Sequence, residues 1–585
     1  MNALPTDTPF VLLDDARDVA PSMSRLYIRP VRVLTAQSSD DIGALMQALR
    51  QATHDGLHAA GYLAYDAGAA FLPNVPSRSS GPLAWFGLFE SYQLIAPDAV
   101  ASLLPDPAGA WLSPLRPDIA RSDYRRAFAK VQDYIKAGDI YQANLTFPLS
   151  ADYAGSPLAL YAALRGQAKA GYGGVIATGD AYYLSFSPEL FFALKGNRVT
   201  TKPMKGTAHR NADADIDRAL AETLQSDPKQ RAENLMIVDL LRNDLSRVCV
   251  PGSVEVPALF HIESYPTVHQ MTSTVTGQLQ NDADALDVIT ALFPCGSITG
   301  APKIRAMQVI DEIEAAPRGI YCGSIGRIDD DGNAAFNVAI RTFTLCDTAK
   351  SLSLGLGSGV VADSVEGSEW DECLAKGDFA VVPKHGFDLI ETMRFEPMVG
   401  ILRLEDHLER MHNSARLFGF EFDRHALRNR LHASIFHLQY LSKIRLMLAR
   451  SGAASVEIRP LNDVSHWRVG IVPLPVSNHD FRLRHKITDR AFYDNARKAR
   501  PDCDEVIFVG ADGRLTEGSI SALFVERGDM LLTPRLETGL LPSVLRAELI
   551  ASGKAQEADL TVADLDGGFY VGNSLRGLIR AKWVA

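Results

Sequence analysis

Apolar side chains recur along this chain with two different spacings, and the spacing changes from one stretch to the next. Between Ser122 and Ala137 they fall at Tyr124, Phe128, Val131 and Ile135, the period of one helical face, with Ser122 in place as an N-cap. Gly138-Asp139 ends that helix, and Ile140–Thr146 continues as an extended segment. Helices are also predicted over Asp213–Ser226, Glu233–Leu245, Ala285–Phe293 and Lys303–Glu314, and from Glu369 to Phe379, where Ser368 and Asp371 are placed to cap the start. Strands are predicted at Gly61–Tyr65, Tyr182–Phe186, Leu190–Leu194, Val199–Thr201, Ser324–Ile328, Ala335–Thr344 and Ser351–Leu356. Phe10–Leu13 and Ala84–Phe89 are short apolar runs between Pro and Gly. The mixture fits an α/β (α+β) sandwich, although periodicity alone names no fold.

At Val381-Val382-Pro383-Lys384-His385-Gly386 the pattern breaks. This short Pro/Gly hinge is the expected boundary between a domain over residues 1–382 and another over 383–585. Beyond it, Leu404, Leu408, Met411, Ala415 and Phe418 mark one face of a helix over Glu405–Phe418. The remainder alternates strands (Ser442–Ala449, Glu505–Val509, Ala522–Glu526, Met530–Leu532) with helices such as Arg490–Lys498 and Ser543–Ser552.

Composition narrows the class. A chain of 585 residues, 46% hydrophobic and 22% charged, is that of an ordinary soluble globular protein with more than one core. A net charge of −11 argues against a nucleic-acid or anionic-membrane partner. No apolar run approaches the ~20 residues that cross a bilayer, and the first residues lack the charged-then-apolar order of a signal peptide. The six cysteines (249, 295, 322, 346, 373, 503) show no Cys-x-x-Cys spacing, which disfavours zinc and a disulfide framework and suits a reducing cytoplasm. None lies in the Gly-x-Cys-x-Gly setting of an amidotransferase nucleophile.

The chemistry starts at Val199–Thr207, Val-Thr-Thr-Lys-Pro-Met-Lys-Gly-Thr. Pro203 interrupts a sheet ladder because it has no N–H, and Gly206 lets backbone approach whatever Lys205 faces. A solitary lysine at a strand end is ordinarily a solvated one. Three other stretches change that reading: Ser187-Pro188-Glu189, Gly296-Ser-Ile-Thr-Gly-Ala-Pro-Lys303 and Gly357-Ser-Gly-Val-Val-Ala-Asp-Ser364. With Pro203–Thr207 they resemble the chorismate-utilising enzymes, the family of anthranilate synthase and aminodeoxychorismate synthase, over Tyr124 to Phe379. In that family the residue before Gly-Thr is usually alanine in anthranilate synthases and lysine in aminodeoxychorismate synthases; here it is Lys205.

The resemblance implies roles. Lys205 adds to the chorismate ring as the 4-hydroxyl departs, and ammonia later displaces it, which requires an unprotonated amine. Glu189 is the general acid/base for that hydroxyl. Mg²⁺ is held by Glu233, Glu369 and Glu372, the last two on one helical face. Many relatives carry an acid at the position of Gln230. Substrate contacts are implied for Gly206, Thr207, His269, Thr299, Tyr321, Arg341, Gly357, Ser358, Gly359 and Lys376.

Downstream, Arg484-His-Lys486-Ile-Thr-Asp-Arg490, Leu515-Thr-Glu517-Gly-Ser519 and Leu540-Leu-Pro-Ser-Val544-Leu545-Arg546, with Phe387–Arg394 and His407–Arg410, resemble the fold-type IV pyridoxal-phosphate enzymes. By that resemblance Lys486 carries pyridoxal 5'-phosphate and moves the proton, Glu517 faces the pyridine nitrogen, Arg410 pairs with the phosphate, and the helix start at Val544 and Leu545 offers it N–H groups. Ser543, Leu545 and Ala522 depart from the usual glycine, threonine and asparagine. The strands that usually precede Phe387 are not evident. A homodimer through this domain is compatible with the resemblance.

Together the two resemblances imply an aminodeoxychorismate synthase joined to an aminodeoxychorismate lyase, making 4-aminobenzoate for folate with ammonia from a separate glutamine amidotransferase subunit. The competing expectation is an anthranilate, isochorismate or salicylate synthase joined to a fold-type IV aminotransferase.

Overall fold

The computed structural model describes every residue except 1–3, 6–7, 20, 79–80, 265–267, 347–350, 383–385 and 585. Pro383, Lys384 and His385 of the expected hinge therefore lie outside the described residues. The chain divides into two compact units: Met1–Leu104, Pro114–Ala151 and Leu164–Val381 in the first, Pro105–Ser113, Asp152–Ala163 and Val382–Ala585 in the second. The second unit thus takes in two segments from far upstream of the hinge, which no local sequence signal marks. Among the described residues no helix is long and apolar enough to cross a membrane.

Unit 1 is built on two antiparallel sheets. One runs, in order, through Gly300–Ala301, Gln142–Ala154, Ser351–Val360, Thr342–Cys346, Ala181–Ser185, Gly173–Ala177, Phe10–Asp14, Ser24–Ile28 and Gln93–Ile95. The other runs through Met204–His209, Val268–Gln278, Arg198–Lys202, Leu190–Lys195, Ala334–Asn337, Ser324–Ile328, His58–Leu63, Ala84–Phe89 and Arg32–Ala36, with Glu255–Ser264 branching off Val268–Gln278. Their facing sides meet in one cluster, where Val11, Tyr27 and Ile176 of the first pack on Tyr62, Trp85, Phe89 and Ile325 of the second. Helices cover the second sheet's other face: Leu45, Leu49, Val238, Ile289 and Leu292 share a core with Phe86, Phe192, Val199 and Phe336. Burial of so much apolar surface on both faces is what makes these strands read as near-continuous hydrophobic runs.

Unit 2 holds a four-stranded sheet ordered Gly400–Ile401, Leu389–Glu396, Ser442–Leu448, Ala454–Pro460. The helix Leu404–Phe418 buries Leu408, Met411, Ala415 and Phe418 against it, together with Leu427 and Leu431 of Arg424–Ile435. A second, mixed sheet runs from Leu515–Gly518 through Glu505–Val509, His466–Pro473, Gly577–Trp583, Phe569–Asn573, Ala522–Arg527 and Met530–Pro534 to Ala555–Ala558.

Some expectations shift. The helix expected from Ser122 runs over Arg121–Lys136 with Ala120 at its cap position, so Ser122 lies inside it. The helix expected from Glu369 begins at Glu366, with Val365 as cap residue, which places Ser368 and Asp371 within its turns and makes neither a cap. The strand expected over Ala335–Thr344 is two, Ala334–Asn337 and Thr342–Cys346. Arg341, at φ 50°, turns the chain between them, and left-handed backbone cannot continue a ladder.

The helices Pro228–Ser246 and Lys303–Ile313 are locked together by Lys303, whose ammonium donates to Asp244 at 2.6 Å and to the Leu292 carbonyl at 2.7 Å. Both side chains are nearly solvent-free, at 7% and 6% exposure. Asp244→Ala leaves a buried ammonium half-satisfied and should cost about 3–5 kcal/mol in urea denaturation. Asp239→Ala, which breaks an exposed pair with Arg242, should cost less than about 1 kcal/mol.

Candidate active sites

Lys205 owes its position to a bulge. Arg198–Lys202 and Met204–His209 pair in succession with Val268–Gln278, and the ladder lapses at Lys202 and Pro203. It then slips between Met204 and Thr207, where Gly206 sits at φ 94°. Such a bulge re-aims the side chain beside it. The Lys205 ammonium is enclosed, and burial holds its pKa below the usual lysine value. Lys376 adds to that shift, while Glu233, Glu372 and Glu189 oppose it. Gly359 passes so close that a Cβ there would lie 2.7 Å from Lys205 Nζ.

Glu189 lies at the entry to Leu190–Lys195 and is 4% exposed. Burial pushes its carboxyl up to about 7, against the Ser297 hydroxyl, which donates to Oε1 at 2.8 Å, and against the nearby Lys205 charge. At neutral pH such a group gives or takes a proton with little bias.

Glu233, on Pro228–Ser246, is raised by burial and by the charges of Glu369 and Glu372, with Lys205 and Lys229 opposing. Glu372 is raised by burial but brought below the carboxylate norm overall by its 2.7 Å ion pair with Lys376 and by Lys205 and Lys229. Among the described residues no three His, Cys, Asp or Glu side chains converge tightly enough to cage a metal. Glu369 and Glu372 nonetheless lie near enough to act on Glu233, and carboxylates so placed suit Mg²⁺, which takes few protein ligands and completes its shell with water and substrate oxygens.

The other expected contacts separate into groups. Lys376 joins the set, its ammonium bridging Glu372 and the Gly357 carbonyl at 2.9 Å. The Ser358 hydroxyl is buried without a hydrogen-bond partner, and a Cβ at Gly357 would strike Thr146 Cγ2 at 2.6 Å. Tyr321 packs its ring against Gly355 and lines a cavity of about 630 Å³ with Tyr62, Tyr124, Tyr183 and Arg318. Thr299 is buried and donates to the Cys295 carbonyl at 2.9 Å. Arg341 lies over the Phe379 ring at 5.7 Å. Thr207 is exposed and donates to Gln270 at 3.0 Å. His269 has partners at both ring nitrogens within the chain, Nε2 lying 3.0 Å from Asp217 Oδ1 and Nδ1 2.8 Å from the Ser264 hydroxyl.

In unit 2, Lys486 is largely buried and lines a cavity of about 480 Å³ with Arg410, Glu517, Ser543 and Val544. Its backbone carbonyl takes the Ile390 N–H at 2.9 Å. Burial brings its pKa down to about 7, with Arg410, Arg490 and Lys443 adding and Glu391 opposing. Glu517 accepts the Tyr493 hydroxyl at 2.6 Å and is pushed up to about 7 by burial. Arg410 is already engaged, giving Nε and Nη2 to Glu391 at 2.8 and 2.6 Å and Nη1 to the Pro542 carbonyl at 2.9 Å. Ser543 precedes the helix Val544–Ala551 without capping it through its side chain, so the N–H groups of the first turn have no intrahelical partner. The Leu545 side chain packs with Ala522, Phe524 and Ala555, which leaves its backbone N–H as the group it offers at the helix start. A buried neutral-prone amine, a buried acid and an uncapped helix start in one cavity fit pyridoxal phosphate.

Comparison with known proteins follows this division. Residues 8–381 match the model of the chorismate binding enzymes, and 388–584 that of the class IV amino-transferases. The chain belongs to the chorismate-binding enzymes. Over 267 residues it is 43% identical to aminodeoxychorismate synthase component 1 of Salmonella typhimurium, covering 46% of this chain and 58% of that protein. Over 261 residues it is 40% identical to anthranilate synthase component 1 of Pseudomonas putida, covering 45% and 52%. The chain thus spans little more than half the length of these relatives. In three dimensions it resembles anthranilate synthase component I of Streptococcus pneumoniae, with a TM-score of 0.54, 27% identity, and 62% and 93% of the two chains covered.

Two residues of this chorismate-binding unit escape sequence reasoning. Ser297 acts on Glu189 across 108 positions, a distance no local pattern bridges. Gln142 is wholly buried with neither side-chain amide atom hydrogen-bonded, and its Nε2 lies 3.1 Å from a Cβ built on Gly359. Its segment carried the family resemblance, but the side chain itself had no signal.

Gly359→Ala should displace Lys205 and lower chorismate turnover by roughly 100-fold with folding retained, judged by circular dichroism. Separately, apoprotein should take up pyridoxal phosphate progressively more slowly as pH falls through about 7, because only the neutral Lys486 amine bonds an aldehyde. Absorbance of the bound cofactor follows that rate, and a flat profile about one unit either side of that value would refute the assignment of the shift.

Proposed function

We propose that unit 1 converts chorismate and ammonia to 4-amino-4-deoxychorismate, and that unit 2 converts this product to 4-aminobenzoate and pyruvate, in the cytoplasm and for folate synthesis. The observation that carries the reading is the enclosed Lys205 amine, held below its usual pKa beside a carboxyl raised to about 7. Glu189 gives its proton to the departing 4-hydroxyl while Lys205 adds to the ring. Ammonia then bonds to C4 and Lys205 leaves with its electron pair shared back as a free amine. Glu233, Glu369 and Glu372 would hold Mg²⁺, which supplies positive charge against the substrate carboxylate. Lys376 is held beside them by Glu372 and the Gly357 carbonyl.

In unit 2, bound pyridoxal phosphate supplies an electron sink. Lys486 takes the proton from C4 of the aminated ring, and Glu517 holds a proton toward the cofactor nitrogen. Loss of pyruvate then leaves an aromatic ring. This reading accounts for two such units in one chain, since one makes what the other consumes.

Lys486→Ala, given chorismate, ammonia and Mg²⁺, should consume chorismate and accumulate aminodeoxychorismate, identified by mass spectrometry. Lys205→Ala should convert supplied aminodeoxychorismate to 4-aminobenzoate but make none from chorismate. Anthranilate as the wild-type product would establish the competing reading instead.

No cysteine of the chain has an amidotransferase setting, so glutamine should support turnover only when a separate glutaminase subunit is added. Ammonium at alkaline pH should replace both, because it supplies free NH₃. Glutamine-dependent product from the purified chain alone would remove the partner from this account.

A further inference from the structure

The cavity around Lys486 contains more positive charge than its cofactor residues explain. Lys443 and Arg445 project from one face of the strand Ser442–Leu448, two residues apart. Arg576 enters from the turn between Phe569–Asn573 and Gly577–Trp583. All three line the same cavity as Lys486. Several other arginines of this unit have carboxylate partners, Arg394 with Glu396 and Asp463, Arg410 with Glu391, Arg459 with Glu457 and Arg482 with Asp480, and Arg490, in the same cavity, donates to the Ser519 carbonyl. Among the described residues no ion pair involves Lys443, Arg445 or Arg576, and the Nε atoms of both arginines are buried without a hydrogen-bond partner. Burial disfavours the Lys443 ammonium, and Arg445 and Arg576 repel it further.

Glu457 lies across the strand pair from Arg445 and eases the Lys443 charge, but it pairs with Arg459; three clustered cations with no ion pair of their own are costly unless something anionic arrives. We propose that Lys443, Arg445 and Arg576 form the substrate-recognition wall of this cavity and select a dicarboxylate amine over an ordinary amino acid. The proposal rests on the lyase reading of unit 2 and adds the residues that would enforce it. An amino acid presents one carboxylate, on the carbon that bears its amine. 4-Amino-4-deoxychorismate bears none on that carbon; it carries one on the ring and one on the enolpyruvyl arm. Recognition of such a substrate needs cations away from the reacting carbon, and guanidinium forks suit carboxylates in two-point contact. The cofactor's phosphate has its own anchor at Arg410 and the start of Val544–Ala551.

Full-length holoenzyme separates this from other roles. Isophthalate, an unreactive aromatic dicarboxylate, should perturb the bound cofactor's absorbance at concentrations at least ~10-fold below benzoate, and the preference should shrink with added salt. Arg445→Met and Arg576→Met should each collapse that preference and raise KM for aminodeoxychorismate at least ~10-fold with kcat little changed, the pattern of lost uniform binding. Arg445→Lys should restore part of both. Equal binding of the two acids by wild type overturns the proposal. So does loss of pyridoxal phosphate from the Met variants with the preference intact, which would assign the cluster to the cofactor. If the isophthalate preference and its collapse are seen but no 4-aminobenzoate forms, the lyase reading fails while the dicarboxylate wall stands.

Discussion

An amine acts as a nucleophile or base only without its proton, and water keeps a lysine protonated. Both units meet that constraint in the same way, by taking a lysine out of water. Lys205 and Lys486 are enclosed, and in each case burial is the largest cause of the lowered pKa. Enclosure alone destabilises the charged form by several pKa units in a dry interior, so each site also sets a limit. Glu233, Glu372 and Glu189 pull Lys205 back up, and Glu391 does so for Lys486. On the proposed reading, the arrival of a dianionic substrate would raise Lys205 further. A divalent cation beside Glu233, Glu369 and Glu372 offsets that charge, which gives Mg²⁺ an electrostatic purpose beyond simple substrate binding.

The backbone makes the enclosure possible. Pro203 cannot complete the ladder, the bulge at Gly206 turns Lys205, and Gly359 leaves the space its amine occupies. Each is a residue whose substitution has no cheap alternative: proline for its missing donor, one glycine for its positive φ, the other for its missing Cβ. The second lysine needs less. Its segment is held by a pair of strand-like contacts, Leu389 with Ile487 and the Ile390 N–H on the Lys486 carbonyl.

These local devices explain what could be read from the sequence. Lys205, Glu189 and Glu517 sit in short motifs that contain Pro or Gly, because the backbone around them is unusual and leaves a mark in composition, whereas the Lys486 motif, Arg484–Arg490, has neither and was legible through resemblance alone. Helices such as Lys303–Ile313 were legible from period alone, to within a residue or two. Illegible were features made by distance. Ser297 meets Glu189 only after the fold has closed, and the unpaired amide of Gln142 is defined by what fails to reach it. The same holds for His269, whose motif gives no hint that Asp217, 52 positions upstream, would meet one of its nitrogens. Cap assignments erred where a helix began a turn earlier than its polar residues suggested, as at Glu366.

Net charge is the least informative number in the sequence once the sites are in view. The chain carries −11 overall, a number that says nothing of pockets. The cavity around Lys486 concentrates lysine and arginine although the chain as a whole is acidic. Salt confines the field of surface charge to about 8 Å at physiological ionic strength, so the exterior neither draws a small dianion in nor holds it away over any distance. Selection of the dianion must therefore occur inside each cavity, where low dielectric makes a few unpaired cations count. That is why the charges that matter are the ones without ion pairs: among the described residues no carboxylate pairs with Arg445 or Arg576, and their buried Nε atoms have no hydrogen-bond partner.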